Sequence, residues 1–192
     1  IGGHVAKRFA KSGYRIAMLA RSVERLERLE KELDGSKGYE CDVSDLDSLV
    51  KICKKIKNEM GSPQVLIHNA VKGNFETLLN GESEWLEENF RTNTTSLLYI
   101  AKEIIPDMLK ESKGVIIVTG NTAAKRGIAN TPYFSPTKAA QRILAQSMAR
   151  DFGPKGIHVA YVIIDASVNT PWTRDRYEGE KNKPDIVFAQ PK

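Results

Sequence analysis

Strand-length apolar runs alternate with helix-length amphipathic runs along most of the chain, and that rhythm restricts the fold more than any single residue. Residues 14–20, 38–43, 64–70, 114–120 and 158–165 read as short buried strands. Between them lie helical patterns at 2–12, 23–33, 44–60, 83–109 and a stretch that ends near Phe152. Leu26, Leu29 and Leu33 form one stripe on the second of these, with charges on the remaining faces. Ser44 is placed to cap the third, with Asp47 three residues on. Pro106 is expected to end or kink the last turn of the fourth. Strands that alternate with helices build βαβ units, so the expected fold class is α/β: a doubly wound, Rossmann-like parallel sheet with helices on both faces. At 192 residues the chain suits a single domain, 1–192.

In a doubly wound sheet the first strand precedes the first helix and lies at the centre. Here the chain opens on Ile1-Gly2-Gly3, already at a helix entrance. The expectation is that the natural protein has a strand before Ile1, with a further strand after Lys192. Residues 166–192 are polar and punctuated by prolines, which predicts a substrate-side loop or lid with short helical pieces.

Composition excludes several classes. The net charge of +5 is spread over scattered Lys and Arg, with no dense basic block or aromatic interleaving, so nucleic acid is not an expected partner. No apolar run reaches the roughly 18 residues that span a bilayer, and no signal peptide is visible, which predicts a cytoplasmic setting. Cys41 and Cys53 do not form a disulfide framework; Cys53 falls on an apolar helix face and reads as core. His4, His68 and His158 are dispersed, so no metal site is expected.

Three positions suit a nucleotide. Ile1-Gly2 at a helix entrance lets the backbone approach a pyrophosphate, while the helix N-terminus supplies N–H donors. Arg21 ends the first strand, where a guanidinium can pair with the 2′-phosphate of NADP. Asp42 ends the next strand and can accept a hydrogen bond from an adenine amino group.

The order of these residues resembles the short-chain dehydrogenase/reductase family from Ile1 to about Thr170. Ile1-Gly2 looks like the end of the family's TGxxxGIG loop, and Asp42-Val43 like its adenine-contacting pair. His68-Asn69-Ala70 is similar to its NNAG motif, with Val71 in place of the Gly. Asn93 to Ser96 ("NTTS") resembles its NxxS/T motif, whose Asn holds a water in the proton relay. Lys138 matches the Lys of YxxxK, and Thr170 the Thr that lies near the nicotinamide amide. Asp165-Ala166 replaces the Pro-Gly of that last turn.

The resemblance implies hydride transfer between a nicotinamide and a small carbonyl or alcohol, with NADP preferred and NAD possible. It also implies a Tyr acid/base, a Lys that lowers its pKa, and a Ser on the reacting oxygen. In this chain the Tyr position holds Phe134 and the Ser position holds Asn121. Phe134 has no proton to give; Asn121 can still polarise a carbonyl through its amide N–H groups. Tyr133 is the nearest phenol. Ser135-Pro136 resembles an N-cap followed by Pro at the first helical position, which puts Tyr133 and Phe134 in a loop of free direction. The candidate catalytic set is therefore Asn93, Asn121, Tyr133, Phe134 and Lys138. The candidate cofactor set is Ile1, Gly2, Arg21, Asp42, Val43, Asn69, Ala70, Lys138 and Thr170. The leading expectation is an NADP-preferring oxidoreductase with an altered proton relay. The alternative is a catalytically impaired nucleotide-binding or interaction module. The helical stretches 83–109 and 132–152 are apolar on more than one face, and the family usually packs such helices in a homodimer or homotetramer.

Overall fold

The computed structural model describes residues 1–169 and 173–174. Thr170 and most of the predicted lid at 166–192 lie outside the described residues.

The chain runs α1 (Gly2–Ala10), β1 (Ile16–Ala20), α2 (Val23–Glu32), β2 (Ser36–Glu40), α3 (Leu46–Met60), β3 (Val65–His68), α4 (Glu84–Phe90), α5 (Ser96–Lys110), β4 (Gly114–Asn121), α6 (Ser135–Phe152) and β5 (Ile157–Ile164). All strand pairs are parallel, as the alternation predicts. β1 pairs with β2, and β3-β4-β5 form a second sheet; β1 and β3 are not hydrogen-bonded to each other. Gly13 turns the chain out of α1 at φ +84°, a conformation that favours glycine.

The core lies mainly on the three-stranded sheet. Leu66, Ile116, Val118 and Ile157 from the strands meet Leu97, Ile104 and Met108 of α5 and Ala145 and Met148 of α6. A smaller cluster of Ala6, Met18, Leu26 and Leu33 holds α1 and α2 to β1. Cys41 and Cys53 are free thiols buried with Leu49, and burial pushes both up to about 11. At the β4–β5 pair, a Cβ on Gly120 would stand 2.0 Å from the Tyr161 ring, so only glycine admits that ring.

Three local expectations are corrected. Asp45, not Ser44, caps α3 by accepting from the Ser48 N–H at 3.1 Å. Ser44 is already engaged, because its N–H and hydroxyl both donate to Asp42 Oδ1 at 2.9 and 2.7 Å. The helical stretch 83–109 is not one α-helix: a π turn, Arg91–Thr95, separates α4 from α5, and the Ser96 N–H reaches back to Arg91 O. Pro106 sits inside α5 without ending it. Finally, α6 takes Phe134 as its N-cap residue and Ser135 as its first helical residue. The Ser135 hydroxyl donates to Thr131 Oγ1 at 2.7 Å instead of capping.

Candidate active site

The parallel strands bring Asn121 from the end of β4 and the 69–76 segment after β3 close to the start of α6. Lys138 sits on the first turn of α6 and is 2% exposed. Its Nζ donates to Thr119 O at 3.1 Å and to Gln141 Oε1. One N–H of the ammonium has no partner among the described residues. Burial pushes the lysine pKa down to about 8, since a charge in low dielectric costs free energy.

Asn93 lies in the π turn and is fully buried. Its side chain ties two segments together: Nδ2 donates to Lys72 O at 2.8 Å and to Thr137 Oγ1 at 2.9 Å, while Oδ1 accepts from the Lys72 N–H at 2.9 Å. The Asn93 carbonyl accepts from Gln141 Nε2. Thr94 adds a further tie, its hydroxyl donating to Thr137 O at 2.8 Å.

Tyr133 and Phe134 go separate ways. Phe134 packs on Phe75 with ring centroids 5.0 Å apart, over Gly73, where a Cβ would crowd both rings. The Tyr133 hydroxyl contacts the Leu78 and Gly81 carbonyls at 2.6 and 3.1 Å, and its ring meets Trp85 edge-on at 5.7 Å. The phenol is thus engaged with the segment before α4. Asn121 Oδ1 is buried without a hydrogen-bond partner among the described residues. The Tyr161 phenol donates to Lys138 O at 3.3 Å, and burial pushes its pKa up to about 12.

On the nucleotide side, the first α1 bond runs from Val5 N–H to Ile1 O, leaving the N–H groups of Gly2, Gly3 and His4 unspent within the helix. A Cβ on Gly2 would stand 3.3 Å from Asn69 Nδ2, so the bare backbone there forms a cradle beside the β3 loop. Asp42 is held below the usual carboxylate range by the two Ser44 hydrogen bonds, with Arg21 and Lys72 adding smaller attractions. Arg21 and Asp42 therefore share one electrostatic neighbourhood. Val43 packs against the Cys41 cluster, and Ala70 follows β3 in the same loop as Asn69.

Two residues absent from the sequence-derived set join the site. His68 is 5% exposed; its Nε2 lies 2.8 Å from Ser96 Oγ and its Nδ1 3.2 Å from Gln141 Nε2. Gln141, 0% exposed, touches Lys138, Asn93 and His68 at once. The one sequence signal that could have found it is its place one helical turn after Lys138 in "KAAQRILA".

The chain matches the family model for short chain dehydrogenases over residues 1–181, and it belongs to that family, a family of oxidoreductases. It is similar to an uncharacterized short-chain type dehydrogenase/reductase of Sinorhizobium fredii, 30% identical over 199 aligned residues that cover 100% of this chain and 78% of the relative. Among solved structures it is similar to an alcohol dehydrogenase from the archaeon Thermococcus sibiricus complexed with 5-hydroxy-NADP, at TM-score 0.81 and 26% identity, covering 99% of this chain and 80% of that one. ElxO with NADP bound superposes at TM-score 0.89 and 23% identity, with 99% and 82% covered, a likeness of fold.

Proposed function

We propose that this protein is an NADP-preferring oxidoreductase that moves hydride to or from a small carbonyl or alcohol. The observation that carries the reading is the Lys138 ammonium, 2% exposed, with two N–H groups fixed on the site wall and one left for a ligand. A buried cation is costly unless something gains from it. A nucleotide ribose hydroxyl is a fitting acceptor. The Gly2 cradle, the free α1 N–H groups and Arg21 beside Asp42 fit the phosphates and ribose of NADP. The NADP complexes among similar solved structures support the same choice.

When bound, the nicotinamide supplies or accepts the hydride. The chain's own residues orient the reactant and handle charge. Asn121, at the Ser position, polarises the reacting oxygen through its amide N–H groups. Phe134 offers no proton, so in this reading the proton that accompanies hydride is drawn from solvent. A second reading, an impaired nucleotide-binding module, is favoured by the engagement of the Tyr133 phenol with Leu78 and Gly81. We place the protein in the cytoplasm as a homodimer or homotetramer, with half-exposed Leu98, Tyr99 and Ile143 on α5 and α6 supplying the apolar contact.

Titration of the full chain with NADPH and NADH separates these readings, with tighter saturable binding of NADPH expected. No saturable signal with either nucleotide overturns both. In a carbonyl panel, Phe134→Tyr with Asn121→Ser is expected to raise reduction at least tenfold by supplying a proton donor. A double variant that stays inert while the parent turns over shows that the proton is handled elsewhere.

A further inference from the structure

Gln141 follows Lys138 by one helical turn and is wholly buried. Burying a carboxamide costs free energy unless its polar atoms are matched, and here each is. Oε1 accepts from Lys138 Nζ, and Nε2 donates to Asn93 O and to His68 Nδ1 at 3.2 Å. The orientation is forced by chemistry: an ammonium only donates and a backbone carbonyl only accepts. The amide oxygen must therefore face Lys138 and the nitrogen must face Asn93. His68 Nδ1 is left to accept.

The other side of the imidazole agrees. Ser96 Oγ donates its hydrogen to Thr92 O at 2.6 Å, so it must accept at 2.8 Å from His68 Nε2. His68 is thereby the neutral Nε2–H tautomer. Burial, with the Lys138 charge adding to it, pushes its pKa down to about 3. Two buried bases share one amide; one stays charged and the other neutral.

We propose that Gln141 is a positioning residue that fixes the Lys138 ammonium and the His68 tautomer, and that blocks proton movement between Lys138 and the interior. A carboxamide holds hydrogen bonds but does not pass protons near neutral pH, whereas a water or hydroxyl in its place would. It occupies the space where Lys138 Nζ and the Asn93 carbonyl converge. Proton exchange at Lys138 is then confined to the face that carries its unpaired N–H. The inference rests on the oxidoreductase reading only in what that face meets. The titratable group whose electrostatics couple to the Lys138 ammonium is His68 from β3; the neutral Tyr161 phenol from β5 donates to the Lys138 backbone carbonyl, and no carboxylate pairs with the ammonium among the described residues.

The test uses the full chain labelled with 15N at histidine and lysine, without nucleotide. In the parent, long-range 15N–1H spectra are expected to show His68 as Nε2–H alone, unchanged from pH 8 to pH 5. Gln141→Met keeps the volume and removes the hydrogen bonds; His68 is expected to become a tautomer mixture, with the Lys138 midpoint falling. Gln141→Glu keeps the acceptor and adds charge; the Lys138 midpoint is expected to rise by about one pH unit, tenfold in proton affinity. A protonated or Nδ1–H His68 in the parent at pH 7 overturns the proposal, and this readout requires no variant to fold. So do unchanged His68 tautomer and Lys138 midpoint in both folded variants. These spectra stand whether or not NADPH binds, so failure of the nucleotide reading is told apart from failure of this one.

Discussion

His68 shows at the residue scale how burial sets a pH dependence. Its imidazole is held neutral in the folded chain, with a pKa near 3, while an exposed histidine titrates at 6.5. Between those values the unfolded chain takes up a proton that the folded chain refuses. The stability it protects is thus fully present above pH 6.5 and lost as pH falls toward 3, at about 1.4 kcal/mol per pH unit. Urea unfolding at pH 7 and pH 5 is expected to show His68→Asn losing about 2 kcal/mol less than the parent over that interval; equal losses would refute the assignment. Lys138 acts at the other end: the cost of its burial is full below about pH 8 and relieved as pH rises toward 10.5. Lys138, Asn93 and Phe134 were legible because spacing within one helix, or position in a short motif, located them. Gln141 and His68 were not legible as a pair. They are 73 positions apart, and nothing in either local sequence says that one will accept from the other.

The π turn between α4 and α5 matters at the scale of the element. Sequence periodicity read 83–109 as one helix, since a single widened turn barely disturbs an apolar stripe. The turn is visible only through what it meets: Asn93 clamps the Lys72 backbone and Thr137, and its own carbonyl reaches Gln141. Asn93→Ala removes three side-chain hydrogen bonds and leaves the Lys72 N–H and C=O unmatched. A loss of roughly 2–4 kcal/mol is expected by thermal or denaturant unfolding. A loss below about 1 kcal/mol would mean that the clamp is not structural. The same logic governs the strand ends. The alternation located β1 to β5 to within a few residues, but the choice of Asp45 over Ser44 as a cap depended on Asp42 having already engaged Ser44.

Across the whole molecule, the alternation foretold parallel α/β architecture, and the family resemblance foretold the order of its motifs. Neither revealed how unevenly the core is distributed. β3, β4 and β5 share a large apolar cluster with α5 and α6, while β1 and β2 pack on smaller ones: Ala6, Met18, Leu26 and Leu33 on one side, and Cys41, Leu49 and Cys53 with Leu19 against them on the other. Native-state hydrogen exchange is expected to be slowest in β4 and α5 and at least tenfold faster in β2, because opening free energy follows buried contact. Uniform protection across both sheets would contradict that. The pairing of Phe134 with Phe75 over Gly73 also bears on how this chain relates to its own near variants. Phenylalanine and tyrosine codons differ by one base, so a phenol at position 134 is a single mutational step away. That step would set a hydroxyl on a ring that is 4% exposed and already packed on Phe75, so the gain of a proton donor at 134 has to outweigh the cost of burying it.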